Sequence, residues 1–377
     1  MFLDEIGDMS PDHQVKVLHA VDGGLFRTDL GVRSSGRWAG CQDMMRTGCD
    51  RGTSALTREP VQKNRDRRAT SNRGGIQRLY VALGVLLLVV ATCVGLLQFN
   101  AGRVFLVRSY LRSERAWVRY WPVEAGRGWA RGLEPLLFQI GALRPVRVKV
   151  EPGVSLLLDP RDDISRTILI SLSSRWEPEV WQAISSGLPE GGVLFDVGAH
   201  IGYDSLKASA KVGPRGRVVA FEPNPSILPI LRDNIAASDA HNVIVQPIAC
   251  TDTEQTLTLF DATLGGNSGS SSLSQRNAGP VTRSYTVRGR PIDDVLPELG
   301  LTRVDVVKVD VEGAELLVLR GAARTLRRFH PKLIVEVVPR QLESMGTSVE
   351  ELETFVGSLG YHATRAVDYK NREWTFR

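Results

Sequence analysis

The segment VLFDVGAHIGYDSLKASAKVG, residues 193–213, limits what this chain can fold into more than any other stretch. Val193 to Val197 form an apolar run of strand length, with Asp196 near its end. Gly198-Ala199-His200-Ile201-Gly202 follows as a tight turn, and residues 203–212 place Leu206 and Ala210 on one helical face. Strand, glycine turn and helix in that order open a β–α–β unit, so the segment predicts an α/β fold built on a mostly parallel sheet. Glycines at such a turn let ligand atoms approach the backbone and aim N–H groups at them. The spacing is G-x-x-x-G, not G-x-G-x-x-G, which argues against a nicotinamide-dependent oxidoreductase.

A second segment, RVVAFEPNP (217–225), ends its strand at Phe221 and carries Glu222 at the tip, 26 residues after Asp196. A carboxylate there can accept hydrogen bonds from both hydroxyls of a ribose, which points to an adenosine ligand without choosing among adenosine cofactors. Asn224 suits the cap of the next helix and Pro225 its first turn. NVIVQPIACTD (242–252) and TLTLF (256–260) read as further strands. The loop GGNSGSSSLSQRNAGP (265–280) has the composition of a linker, yet its place inside the domain suits a substrate-covering loop.

VDVVKVDVEGAELLVLRGAARTL (304–326) supplies another strand, with Asp310 at the carboxyl end, where ligands bind in open α/β sheets. Lys308 on this apolar strand requires a partner. Glu312 and Glu315 open the following helix, where acids complement the macrodipole. LIVEVVP (333–339) places Glu336 near a further strand end, SVEELETFVGSLG (348–360) is the last clear helix, and YHATRAV reads as a closing strand.

DVGAHIG, FEPNP, IACTD, GSSSL, IDDVL, KVDVEGAE, VLRGA and IVEV occur in the order and approximate spacing of the FkbM methyltransferases, over about residues 146–345. The resemblance implies a class I methyltransferase (Rossmann-like) fold with helices on both faces of the sheet. It implies S-adenosylmethionine as cofactor and methylation of a hydroxyl on a sugar, glycolipid or polyketide-like metabolite. Carried onto this sequence, Asp196, Gly198, Ala199, His200 and Gly202 resemble the methionine-side cradle, with His200 where the family commonly has Asn. Glu222 and Pro223 resemble the ribose end, and Ala249 and Asp252 the adenine end. A hydroxyl nucleophile needs a base. Asp310 is the first candidate by position, followed by Glu312 and Glu336. Asp310 and Glu336 could also hold a divalent cation, but no third ligand is evident, so no metal is expected. A member of the fold that has lost catalysis and only binds remains a competing reading.

The formal charge of +5 does not mark a nucleic-acid binder. Residues 1–145 hold 21 Lys/Arg against 13 Asp/Glu, and the remainder is slightly acidic, so no basic face falls on the catalytic part. Only Cys250 lies in that part, which excludes a disulfide framework there. Residues 1–40 contain FLDEIGDMSPDHQVKVLHAVDGGLFR, similar to the Walker B region of AAA+ enhancer-binding activators. Without a phosphate-binding loop, Asp4 and Glu5 of that fragment are given no activity. Residues 41–78 are polar and basic, a composition that cannot bury enough apolar surface to order itself. Residues 79–99 carry no charge and are long enough as a helix to cross a bilayer. They predict a single-pass anchor, with the catalytic domain in the cytosol; a cytoplasmic enzyme is the alternative. Residues 100–145 form an Arg/Trp-rich connector, with Trp117, Trp121 and Trp129 suited to a membrane interface. The methyltransferase domain is placed at 146–377.

Overall fold

The computed structural model describes residues 83–120 (except 86, 90 and 94), 137–171 (except 140 and 142), 176–279 and 283–376; side chains are described to residue 112 of the first segment. The AAA+-like fragment, the basic segment, Trp121, Trp129 and the side chain of Trp117 lie outside what is described. Residues 83–97 are helical wherever described, and Leu83, Val85, Leu87, Leu88 and Val89 are exposed. Among the described residues no helix is long and apolar enough to cross a membrane, so the single span expected over 79–99 is not supported.

From Asn100 the elements run in chain order as follows: α1 (Asn100–Tyr120), β1 (Val146–Glu151), β2 (Val154–Leu158), α2 (Asp163–Ser171), α3 (Pro178–Gly187), β3 (Val193–Val197), α4 (Tyr203–Val212), β4 (Arg217–Phe221), α5 (Leu228–Ala237), β5 (Val243–Gln246), β6 (Ala249–Cys250), β7 (Gln255–Asp261), α6 (Gln275–Ala278), β8 (Arg283–Arg290), α7 (Ile292–Leu299), β9 (Val306–Val309), α8 (Glu315–Gly321), α9 (Ala323–Phe329), β10 (Lys332–Glu336), α10 (Pro339–Ser344), α11 (Val349–Ser358), β11 (Tyr361–Ala366) and β12 (Asn371–Phe376).

The main sheet has seven strands in the order β5-β4-β3-β9-β10-β12-β11. Its inner pairs are parallel, and β12 runs antiparallel to both β10 and β11. This is the strand order and the single reversed strand of the Rossmann-like class I methyltransferase fold. Strand parity sets the two faces. Leu194, Val218, Val306 and Ile334 pack under Val180, Ile184, Ala208 and Val212 of α3 and α4. Phe195, Val197, Val307 and Val335 point the other way, onto Val295, Val318, Leu326, Leu352 and Val356 of the helices after β8. Because both faces are covered, the strands read as continuous apolar runs rather than alternating ones. Phe195 and Phe221 meet edge to face at 5.7 Å, and truncating either would cost about 3–5 kcal/mol.

Three features depart from the sequence reading. The stretch 242–252 is two strands, not one: β5 joins the main sheet, and β6 leaves it for a three-stranded sheet with β8 and β7. The strands β8 and β12 have no counterpart in that reading; RSYTVRGR and NREWTF are rich in charged and polar residues, yet β8 is the middle strand of its sheet and β12 lies between β10 and β11. The connector over 100–145 is partly a wall of the domain, since Val107 and Leu111 of α1 are buried with the β1–β2 hairpin and Ile168 and Leu169 of α2.

Candidate active site

The carboxyl ends of β3, β4 and β9 open on one cavity of about 80 Å³. Its apolar wall includes Phe221, Ile227, Ile248 and Leu259, and Glu222, Asp310, Glu312 and His200 supply the polar part.

The glycine turn after β3 works differently from the sequence expectation. Gly198 and Gly202 hold positive φ, at 85° and 90°. A Cβ on Gly198 would sit 1.8 Å from the Asp310 carbonyl oxygen, and one on Gly202 would sit 2.7 Å from Leu231 Cδ1. Neighbouring chain demands glycine at both positions. The N–H groups of Gly198 and Ala199 donate to the Phe221 carbonyl at 3.0 and 3.1 Å, which ties β3 to β4 and leaves neither free to aim at a ligand. His200, also at positive φ, donates its N–H to Glu222 Oε2 at 2.9 Å.

Glu222 receives a second bond at Oε1, from the Asn224 N–H at 2.8 Å. It is held in place by backbone while still facing the cavity. Burial pushes its pKa up to about 7, against the pull of those two donors. Asn224 does not cap the next helix, which starts at Leu228. Instead its Oδ1 accepts from the Ser226 N–H, and its Nδ2 reaches Asp261 Oδ1 and Ser271 Oγ, both at 3.1 Å.

The Gly/Ser-rich loop is a wall of this cavity, contributed by Ser268, Gly269, Ser271, Ser272 and Leu273. Ser268 donates its N–H and its hydroxyl to Asp162 Oδ1, at 2.8 and 2.7 Å. Because that hydroxyl proton is committed, the 2.7 Å contact between Ser268 Oγ and His200 Nε2 puts a proton on Nε2. Burial lowers the His200 pKa and keeps the ring neutral. Farther along, Ser272 Oγ and Asn277 Nδ2 both donate to the Glu312 carbonyl at 2.8 Å. The loop thus lines the cavity inside the domain instead of linking two domains.

Across the cavity, β9 and β10 bring carboxylates together. Lys308 Nζ lies 3.5 Å from Asp196 Oδ1, 3.5 Å from Asp310 Oδ2 and 3.7 Å from Asp204 Oδ2, the partners its burial demands. Asp310, Glu312 and Glu336 each place an oxygen within 4.8 Å of the others. Glu312 is therefore the third carboxylate that the sequence did not reveal beside Asp310 and Glu336. Lys370, from the turn between β11 and β12, bonds Glu336 and lies 3.5 Å from Glu177. Burial works to raise Asp310, but Lys308 and Lys370 outweigh it and hold the group below its ordinary value. Burial and the Asp310 charge push Glu312 up to about 8 and Glu336 well above the carboxylate range. Gln341 Nε2 donates to Glu312 Oε2.

Of the residues expected at the site, Gly198, His200, Glu222, Pro223, Ala249, Asp310 and Glu312 line the cavity, and Asp196, Ala199, Gly202, Asp252 and Glu336 do not. Asp196 is buried behind the turn, accepting from Ser205 Oγ at 2.5 Å and paired with Lys308. Ala199 packs on Ala220 and Leu231. Glu336 is buried under Lys370. Glu315 closes the loop before α8, its Oε1 accepting from Gly313 N at 3.0 Å and Val311 N at 3.3 Å. Sequence reasoning missed Asp162, Asn224, Ser268, Ser271 and Lys370 as parts of the site. The GSSSL block was a signal for the serines; nothing local marks Lys370.

Residues 196–363 match the methyltransferase FkbM domain. Over 209 residues the chain is 31% identical to methyltransferase sdnD of Sordaria araneosa, a match covering 48% of this chain and 77% of that protein. It is 30% identical over 165 residues to the hexuronic acid methyltransferase AglP of Haloferax volcanii, covering 43% of this chain and 63% of AglP. The 2-O-methyltransferase NoeI of Sinorhizobium fredii is 27% identical over 151 residues, covering 36% of this chain and 59% of NoeI.

Proposed function

This chain belongs to the FkbM methyltransferase family, whose methyl donor is S-adenosylmethionine, and we propose that it transfers the methyl group to a hydroxyl oxygen of a sugar, glycolipid or polyketide-like metabolite. The observation that carries the reading is a cavity with two differently poised acids. Glu222 is fixed by two backbone N–H groups at one end, and Glu312 is a carboxylate with a raised pKa at the other.

The residues fit the donor. Glu222 can accept from both ribose hydroxyls, while Phe221, Ile248, Ala249 and Leu259 offer an apolar slot for adenine. Gly198 and His200 border the side toward Asp310, where the methionine end would lie. When bound, the donor supplies a methyl group on a sulfonium and leaves as a neutral thioether. The protein aligns the acceptor oxygen with that carbon and removes its proton. Glu312 suits the proton step better than Asp310. Both line the cavity, but Asp310 is held as a weak base by two lysines, whereas Glu312 is poised near neutral pH. The names of AglP and NoeI, a uronic acid and an oxygen position, support a glycan hydroxyl as acceptor.

The test is calorimetry with S-adenosylmethionine, followed by turnover on hexuronic acid glycosides and other hydroxylated glycans. No detectable affinity for the donor would sink the reading; affinity with no transfer to any hydroxyl would leave a binding protein in its place. A membrane-associated enzyme with its catalytic domain in the cytosol is a further part of the reading. Its support is the exposed apolar side chains between Leu83 and Val89, and co-sedimentation with vesicles checks it.

A further inference from the structure

The carboxylate cluster has the look of a cation site, yet it already contains a cation. Asp310, Glu312 and Glu336 converge within 4.8 Å, a spacing that could ligate a divalent ion through oxygen. Two observations oppose an ion there. Lys370 Nζ is in contact with Glu336 Oε1 and 3.5 Å from Glu177 Oε1, with its side chain only 20% exposed. A divalent ion among the three acids would sit beside that ammonium, and two like charges in a poorly solvated site repel strongly. Glu312, in turn, spends Oε2 on the amide of Gln341.

Resting on the methyltransferase reading, we propose that Lys370 is a positioning residue that takes the place of a divalent cation: paired with Glu336 and close to Glu177, its ammonium offsets the charge of the Asp310–Glu312–Glu336 cluster so that Glu312 can take the acceptor's proton. The groups facing Glu312 come from several elements. They are Asp310 and Glu315 around the loop after β9, Glu336 on β10, Glu177 at the start of α3, and Lys370 in the turn before β12. The acids outnumber the lysines, so the cluster cannot be fully ionised at neutral pH. Glu336 Oε1 meets Lys370 and its Oε2 is buried with no hydrogen-bond partner among the described residues; burial and the Asp310 charge push Glu336 well above the carboxylate range, while the lysines hold Asp310 below it. Glu312 is the member that both faces the cavity and titrates near the working range. Lys370 lowers its proton affinity, and without that charge Glu312 would hold its proton to higher pH.

The device also explains why the turn between β11 and β12 is so well tied. Asp368 Oδ1 accepts from the N–H groups of Lys370 and Asn371, at 2.8 and 2.7 Å, and Asp368 Oδ2 accepts from Asn371 Nδ2 at 3.0 Å. Those bonds fix the backbone from which Lys370 reaches inward.

The experiment compares full-length wild type with Lys370→Met, Lys370→Ala and Lys370→Arg, using S-adenosylmethionine and a hexuronic acid glycoside as probes. Lys370→Met keeps the aliphatic bulk, so the cluster is not lost to collapse. In Lys370→Met, kcat falls about tenfold or more, and its rising limb against pH moves upward by about one unit or more, as expected for a lost neighbouring charge. The donor Kd stays within about twofold, and Lys370→Arg recovers most of the rate. Mn²⁺ titration reads the second half of the idea without an acceptor. Wild type shows no saturable binding, and Lys370→Ala, with the space opened, acquires it. Saturable Mn²⁺ binding to wild type that disappears in Asp310→Asn would overturn the proposal, as would a Lys370→Met pH profile superimposable on wild type. If no acceptor is turned over by wild type, the acceptor reading fails alone, and the Mn²⁺ comparison still decides the role of Lys370.

Discussion

The two sides of the cavity are built on opposite principles. On the β3–β4 side the chain grips with backbone: Gly198, Ala199 and His200 spend their N–H groups on Phe221 and Glu222, and one carboxylate faces the ligand. On the β9–β10 side, side chains do the work, with Asp310, Glu312, Glu336, Lys308 and Lys370 crowded together. The first arrangement holds a single carboxylate, raised to about 7, by main-chain donors; the second crowds several acids and two lysines into one cluster. Binding a donor asks for shape and one acceptor of hydrogen bonds, whereas removing a hydroxyl proton asks for a group with tunable proton affinity.

The sharpest way to break this contrast is Gly198→Ala. The new Cβ has no room beside the Asp310 carbonyl, so the β3 and β9 loops must part and a positive φ becomes strained. A loss of about 3 kcal/mol or more is expected, read as a lower unfolding midpoint together with lost donor affinity. Unchanged stability would mean that the two sides are not coupled through that contact.

Next in size is Glu312→Gln, which removes the base but leaves the donor grip alone. Turnover should fall by about 10²–10⁴ with donor affinity little changed. Wild-type kcat should decline below about pH 8, because Glu312 must be deprotonated to act. The same raised pKa affects stability. Glu312 at about 8, and Asp204, Glu222 and Glu315 at about 7, bind protons more tightly when folded than in the unfolded chain. Between about pH 4.5 and 8 the folded state therefore holds more protons, and its stability falls as pH rises. Unfolding at pH 5.5 and 8.5 should show this slope, and Glu312→Gln should flatten it. A slope of the opposite sign would contradict the cluster's charge assignment.

Glu222→Ala probes the other side alone. Loss of the ribose acceptor, with two N–H groups left unpaired, should weaken the donor by about 10–100-fold in calorimetry, with no shift in the pH limb assigned to Glu312. The smallest effect is reserved for Asp252→Ala. The family resemblance places Asp252 at the adenine end, but it does not line the cavity. Stability and donor affinity should both stay within about 0.5 kcal/mol of wild type; a tenfold weaker donor would restore its predicted role.

The donor side was the more legible in sequence. Glycines and strand-tip acids are local signals, since a turn that needs positive φ and an acid at a strand end both leave marks within a few residues. A further reason for Gly198 was not legible, because the chain that crowds it comes from Asp310, far along the sequence. The carboxylate side was legible only in pieces. Asp310 and Glu336 showed their strand ends, but Glu312 looked like a helix-opening acid and Lys370 like any surface lysine.

By itself, the sequence determined the α/β class, the covered parallel strands at the sheet's centre, and the strand-tip acids Glu222 and Asp310 that face the cavity, because apolar periodicity and turn chemistry act over short spans. Tertiary structure alone decided which acids meet, that β12 reverses direction to deliver Lys370, and that the Gly/Ser loop closes onto Asp162. Contacts between residues 106 apart, as for Ser268 and Asp162, depend on the packing of whole elements. No local composition encodes them.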